Sequence, residues 1–165
     1  MVQSRFIEWD RLDVRVLGSR IVAMARDAMR ASRAPVEIER IDFRDGDAEV
    51  SGVFRKGIAI PFRFHLRRIG ASGRVLRLPI EQMSVAGFLP VPALLFRLAE
   101  GFARVQGVAI DPETRTVVVS VERFLPEFVD VEIEDVRIVA GGVHVTLGRG
   151  GADLPTRGGG FDGHA

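Results

Sequence analysis

Hydrophobic and polar residues alternate with a period of two along much of this chain. In "IAIPFRFHLRR", Ile58 to Arg68, the residues Ile58, Ile60, Phe62, Phe64 and Leu66 share one face. Ala59, Pro61, Arg63, His65 and Arg67 share the other, because successive strand side chains leave opposite sides of the backbone. The same rhythm predicts strands in "VEIERIDF", "AEVSGVF", "RVLRLPIEQ", "TRTVVVSVE", "VDVEIEDVRIV" and "VHVTL", and more briefly at Leu12, Val14 and Val16. Asp45-Gly46, Lys56-Gly57, "ASG" at 71 to 73, Asp111-Pro112 and Gly141-Gly142 supply turns, and turns this short imply antiparallel neighbours.

Two strands change phase. Val129, Val131 and Ile133 have one parity and Val136 and Ile138 the other, which predicts a β-bulge near Glu134-Asp135. Val36 and Ile38 are separated from Ile41 and Phe43 in the same way.

The period becomes helical twice. After Gly18-Ser19, a break and N-cap signal, Ile21, Met24, Ala25 and Ala28 form an apolar stripe ringed by Arg20, Arg26, Asp27 and Arg30, and Pro35 closes the segment. Pro90 and Pro92 precede a second helix, Val91 to Val105, with Leu94, Leu95, Leu98, Phe102 and Val105 on one side. Two helices and seven or more strands give an α+β domain, expected as a strongly curved antiparallel meander wrapped around one or two amphipathic helices. The expected domain spans residues 1–148, and the glycine-rich residues 149–165 read as a flexible tail.

Composition narrows the chemistry. A chain of 165 residues, 47% hydrophobic and 27% charged, suits one globular domain. With no cysteine, disulfides, thiolate metal sites and cysteine nucleophiles are excluded. No apolar run reaches the ~20 residues of a membrane-spanning helix, and the charged first residues do not read as a signal peptide, so a cytoplasmic protein is expected, with peripheral membrane contact left open. His65, His144 and His164 have no metal-ligand spacing, and G-x-S-x-G and phosphate-loop patterns are absent. No enzyme activity, cofactor, metal or catalytic residue is therefore expected, although a dispersed site around His65 or His144 is a conceivable third option.

Charge and aromatic content leave alternatives. Val50 to Ile80 holds seven basic residues and no acid, whereas Glu122 to Asp135 holds six acids and one arginine. A basic face could meet anionic head groups, or acids on neighbouring strands could cancel it locally. Nucleic acid is not expected as a partner, since there is no tyrosine and the one tryptophan lies near the N-terminus. Eleven phenylalanines suit either a packed core or an apolar cavity. "AGFLPVPALLF", Ala86 to Phe96, reads equally as an exposed lip or as the start of a packed helix.

The order of these elements, together with "VVVSVERFLPEFVDVEIEDVRIVAGGVHVTL", resembles bacterial members of the tubular lipid-binding superfamily over roughly Gly18 to Leu147. That resemblance implies a curved antiparallel sheet around a helix, with lipid held between them. The helices here are short, at about 15 residues or ~22 Å. The expected function is non-enzymatic binding of a lipid or other apolar small molecule between the sheet and the helices. The expected lining is Phe62, Phe64, Leu76, Leu78, Leu95, Leu98, Phe102, Val119 and Ile133. The alternative is a scaffold protein that forms a homo-oligomer through the apolar lip or a sheet edge, without a ligand.

Overall fold

The computed structural model describes residues 5–85 and 90–153. These residues form two α-helices, α1 (Gly18–Ala31) and α2 (Val91–Phe102), and otherwise mainly antiparallel sheet, an α+β architecture. In chain order the strands are β1 (Ile7–Trp9), β2 (Leu12–Leu17), β3 (Val36–Arg44), β4 (Asp47–Lys56), β5 (Ile58–Leu66), β6 (Gly70–Ser72) and β7 (Val75–Val85). After α2 come β8 (Val108–Asp111), β9 (Thr116–Ser120), β10 (Val129–Asp130), β11 (Ile133–Val139), β12 (Gly142–Leu147) and β13 (Gly150–Ala152).

The strands form three hydrogen-bonded groups. Seven make the largest, in the order β3-β4-β5-β7-β9-β8 with β6 also paired to β7; the others are β11-β12-β2 and β1-β13-β10. The eleven residues of β7 join the large sheet's halves, because Val75–Pro79 pairs with β9 and Ile80–Val85 with β5. Turn contacts tie the second sheet to the first: the Gly46 N–H donates to the Ile138 carbonyl at 3.0 Å, and the Ala140 N–H to an Asp45 carboxylate oxygen at 2.9 Å.

The core follows from the alternation. Val50 and Phe54 of β4, Ile60, Phe62 and Phe64 of β5 and Ile80 of β7 are buried in one cluster with Leu94, Leu95, Leu98 and Phe102 of α2 and Met29 of α1. Leu94, Leu95 and Leu98 are fully buried, and each such leucine contributes about 1.5–3 kcal/mol by leaving water. The apolar face of β5 ends sooner than its sequence pattern, since Ile58 is 68% exposed.

Both expected bulges are present. The β11–β12 register shifts between Ile133 and Asp135, and the β3–β4 register between Ile38 and Arg40. A third shift lies between β5 and β7, beside Gln82 with its φ of 48°.

Several elements differ from expectation. α1 begins at Gly18 with Leu17 as N-cap and no side-chain cap, so Ser19 does not fill that role. Here Phe43 packs so closely that a Cβ on Gly18 would lie 2.5 Å from its ring, which explains the glycine better than a chain break does. Met24 is 50% exposed, while Met29, one turn further on, is the buried methionine. α2 stops at Phe102, three residues short of the expected end. The segment Val129 to Val139 is split, its first residues pairing with β13 and the remainder with β12.

Gly150–Ala152, expected as the beginning of a loose tail, is instead the middle strand of its sheet. A Cβ at Gly150 would sit 2.5 Å from the Asp130 carbonyl oxygen and 2.8 Å from the Trp9 ring, so glycine there permits close packing. The rest of the expected tail, from residue 154, lies outside the described residues, as does His164. No helix among the described residues is long and apolar enough to cross a membrane.

Candidate functional site

The nine residues expected to line a ligand site divide into two groups. Phe62, Phe64, Leu95, Leu98 and Phe102 come together in the buried cluster under α2, where the rings of Phe62 and Phe64 stack 5.9 Å apart and 8° from parallel. Leu76 and Val119 are cross-strand partners, and they and Leu78 are half-buried outside that cluster. Ile133 is buried elsewhere, donating its N–H to the Gly73 carbonyl at 2.8 Å where β11 bridges to the turn before β7. Of the expected lip, Ala86 to Leu89 lies outside the described residues, Leu94 and Leu95 are buried, and Phe96 is 56% exposed.

The basic stretch on the outer face of β5 is locally neutralised, chiefly by acids just outside the acid-free window. Arg63 lies 3.5 Å from Glu49, and Arg67 lies 3.4 Å from Asp47 and 3.5 Å from Glu81. His65 is half-buried between two carboxylates, its Nδ1 3.0 Å from Asp47 and its Nε2 3.4 Å from Glu49. Burial pushes the Asp47 carboxyl up, but the hydrogen bond and charge of His65 and the nearby Arg67 outweigh it and hold the group below its ordinary value. No group of three or more acidic or histidine side chains among the described residues is placed to hold a metal ion.

A concave feature lies between α1 and β3, the edge strand of the large sheet. It is a cleft of about 600 Å³ lined by Arg26, Met29, Arg30, Arg33, Ala34, Pro35, Val36, Glu37, Ile38 and Arg55. Its construction begins at the β3 bulge, where the edge strand turns the carbonyls of Ile38 and Glu39 toward α1. Arg26 donates Nε–H to the Ile38 oxygen at 2.9 Å and a second N–H to Glu39, joining helix to strand. At the other end Ser32 caps α1 through its hydroxyl to the Ala28 oxygen at 2.7 Å, and Arg33 takes a left-handed conformation, φ 51°.

The floor is apolar. Met29, Val36 and Ile38 are nearly fully buried and belong to the main core, with Ala34 packed against it. Arginines make up much of the rim. Arg55 pairs with Glu37 at 3.0 Å, whereas Arg30 and Arg33 make no ion pair among the described residues. A smaller cleft of about 130 Å³ meets this one at Pro35 and adds Lys56, Arg97 and Arg104 against the single acid Glu100. None of the nine expected lining residues borders either cleft. A signal for the rim was nonetheless present: Arg26, Met29, Arg30 and Arg33 are spaced i, i+3, i+4 and i+7, one stripe along a helix and the turn that follows.

In comparisons with protein-family models, curated proteins and solved structures, nothing matches the chain.

Proposed function

We propose that this protein is a non-enzymatic binder of a lipid or other apolar small molecule, held between α1 and the large sheet. The observation that carries this reading is the α1–β3 cleft, whose floor of Met29, Val36 and Ile38 is continuous with the core. Its volume falls within the ~300–1,000 Å³ usual for small-molecule sites. Burial supplies the affinity, at about 0.8 kcal/mol for each methylene that leaves water. Kinship with the tubular lipid-binding superfamily, and a sheet that bends around its helices, belong to the same reading and rest on the order of elements. Native mass spectrometry of the purified protein, together with titration of a fluorescent acyl probe, tests it. Co-purified lipid or saturable uptake supports the reading; neither lipid nor uptake refutes it.

A second reading, assembly of identical copies, has one observation of its own. β2 is an end strand of its sheet, with Leu12 and Leu17 exposed, and its sequence is self-complementary about Val14. An antiparallel pair of β2 strands in that register sets Asp13 against Arg15 and Leu12 against Val16. A concentration-dependent dimer in light scattering, lost in Val14→Pro, is its signature, and a strict monomer at high concentration excludes it.

A further inference from the structure

The charge around the cleft restricts what it can hold. Arg26, Arg30, Arg33 and Arg55 of the larger cleft and Lys56, Arg97 and Arg104 of the smaller one are joined, among the described lining residues, by two acids, Glu37 and Glu100. Two of these seven are committed. Arg26 is used by the β3 carbonyls and Arg55 by Glu37. In the larger cleft that leaves Arg30 and Arg33, one on the last turn of α1 and the other just beyond it, beside the buried side chain of Met29. Guanidinium groups beside an apolar surface present donors suited to a planar or tetrahedral oxyanion.

We infer that the ligand is an anionic amphiphile, with a phosphate or carboxylate head held by Arg30 and Arg33 and an apolar tail on Met29, Val36 and Ile38. This rests on the proposed binding function and gives it a ligand class. The two halves act together: a neutral ligand forgoes the guanidinium donors, and a free inorganic anion forgoes the apolar floor. The head group is read as an oxyanion, whether it comes on a fatty acid, a lysophospholipid or an alkyl phosphate.

The experiment is calorimetric titration of the full chain, at low and at high salt, with decyl phosphate, decanol and inorganic phosphate. Decyl phosphate is expected to bind at least about tenfold more tightly than either of the others, since a charge-assisted guanidinium contact is roughly twice as strong as a neutral one. Its affinity is expected to fall as salt rises, because the rim is open to solvent. In Arg30→Gln/Arg33→Gln, both at exposed positions, decyl phosphate is expected to bind no more tightly than decanol does to the same variant, with the far-ultraviolet circular dichroism checking that the variant is folded. Equal affinity for decyl phosphate and decanol overturns the inference but leaves apolar-ligand binding standing. Inorganic phosphate as tight as decyl phosphate overturns it in favour of a simple anion site. Binding of neither decanol nor decyl phosphate refutes the binding function itself.

Discussion

Phe64→Ala and Arg63→Ala are neighbouring truncations that should differ several-fold in cost, because the two side chains leave opposite faces of β5. Phe64 is 5% exposed, lies in the main cluster and stacks on Phe62. Removing a buried phenylalanine ring costs about 3–5 kcal/mol in general, and the lost ring pair accounts for about 0.5–1.5 kcal/mol within such a figure. Arg63, by contrast, has a 60% exposed side chain and lies 3.5 Å from Glu49. An exposed pair of this kind contributes about 0–1 kcal/mol. Urea unfolding separates the cases. With a slope of about 2 kcal/mol/M, typical of a small domain, a loss of about 4 kcal/mol lowers the midpoint by roughly 2 M, whereas Arg63→Ala moves it by less than about 0.5 M. Phe64→Asp should be worse than alanine, since it buries a carboxylate without a partner, and Arg63→Asp should stay small. Equal midpoint shifts for Phe64→Ala and Arg63→Ala would refute the assigned sidedness, and with it the packing of α2 on this face.

Arg26→Ala should destabilise the protein by about 1.5–3 kcal/mol, the range for hydrogen bonds from a charged donor, because it strips the cover from the Ile38 and Glu39 carbonyls; thermal unfolding measures it, and an unchanged midpoint would mean that Arg26 does not hold α1 to the strand. Asp47 has a carboxyl pKa below its unfolded value, so its contribution to stability is fully present above about pH 4 and is lost as pH falls through the lower folded value. Asp47→Asn should therefore flatten the acid side of the stability profile, and an unchanged slope below pH 4 would contradict the His65 and Arg67 contacts. Gly52→Ala places a Cβ 2.4 Å from the Glu37 carbonyl oxygen and should cost about 1–3 kcal/mol in denaturant unfolding, whereas Gly46→Ala meets no atom within 4 Å and is strained only by its φ of 74°.

How much of this was legible depends on how many periods each element spans. The strands β3, β4, β5 and β7 run for nine to eleven residues with one buried face, so alternation exposes them in sequence. Bulges were readable for the same reason, since an extra residue reverses the parity of everything after it. The third bulge also left a trace, because Leu76, Leu78 and Ile80 have one parity and Met83 and Val85 the other, but that reversal shows only when the strand is followed past Gln82. β1, β6, β8 and β13 are three or four residues long, at most two periods, and β1 and β13 in addition pair with each other from distant parts of the sequence. Glycines at 150 and 151 read as looseness because their reason, contact with Trp9, Arg5 and the Ile7 and Asp130 carbonyls, is visible only in three dimensions.

The cleft was not read from the sequence for a related reason. Phenylalanines and leucines at strand and helix spacing identify the surfaces that meet, but the same pattern serves a packed core and a lined cavity. Here Leu95, Leu98, Phe62 and Phe64 meet one another in the core. A cleft forms where packing is interrupted, and in this molecule the interruption begins at a feature the sequence did display. The parity change between Ile38 and Ile41 places a bulge on β3, and a bulge on an edge strand turns carbonyls outward with no ladder partner. Arg26 satisfies two of them, which brings α1 to that edge, and the stripe of Met29, Arg30 and Arg33 then overhangs the strand. The cleft is thus a consequence of how an edge strand is covered. Replacing Arg26 should accordingly loosen the cleft together with the helix, so Arg26→Ala should weaken acyl-probe uptake more than Arg97→Ala, which alters only the smaller cleft beyond Pro35.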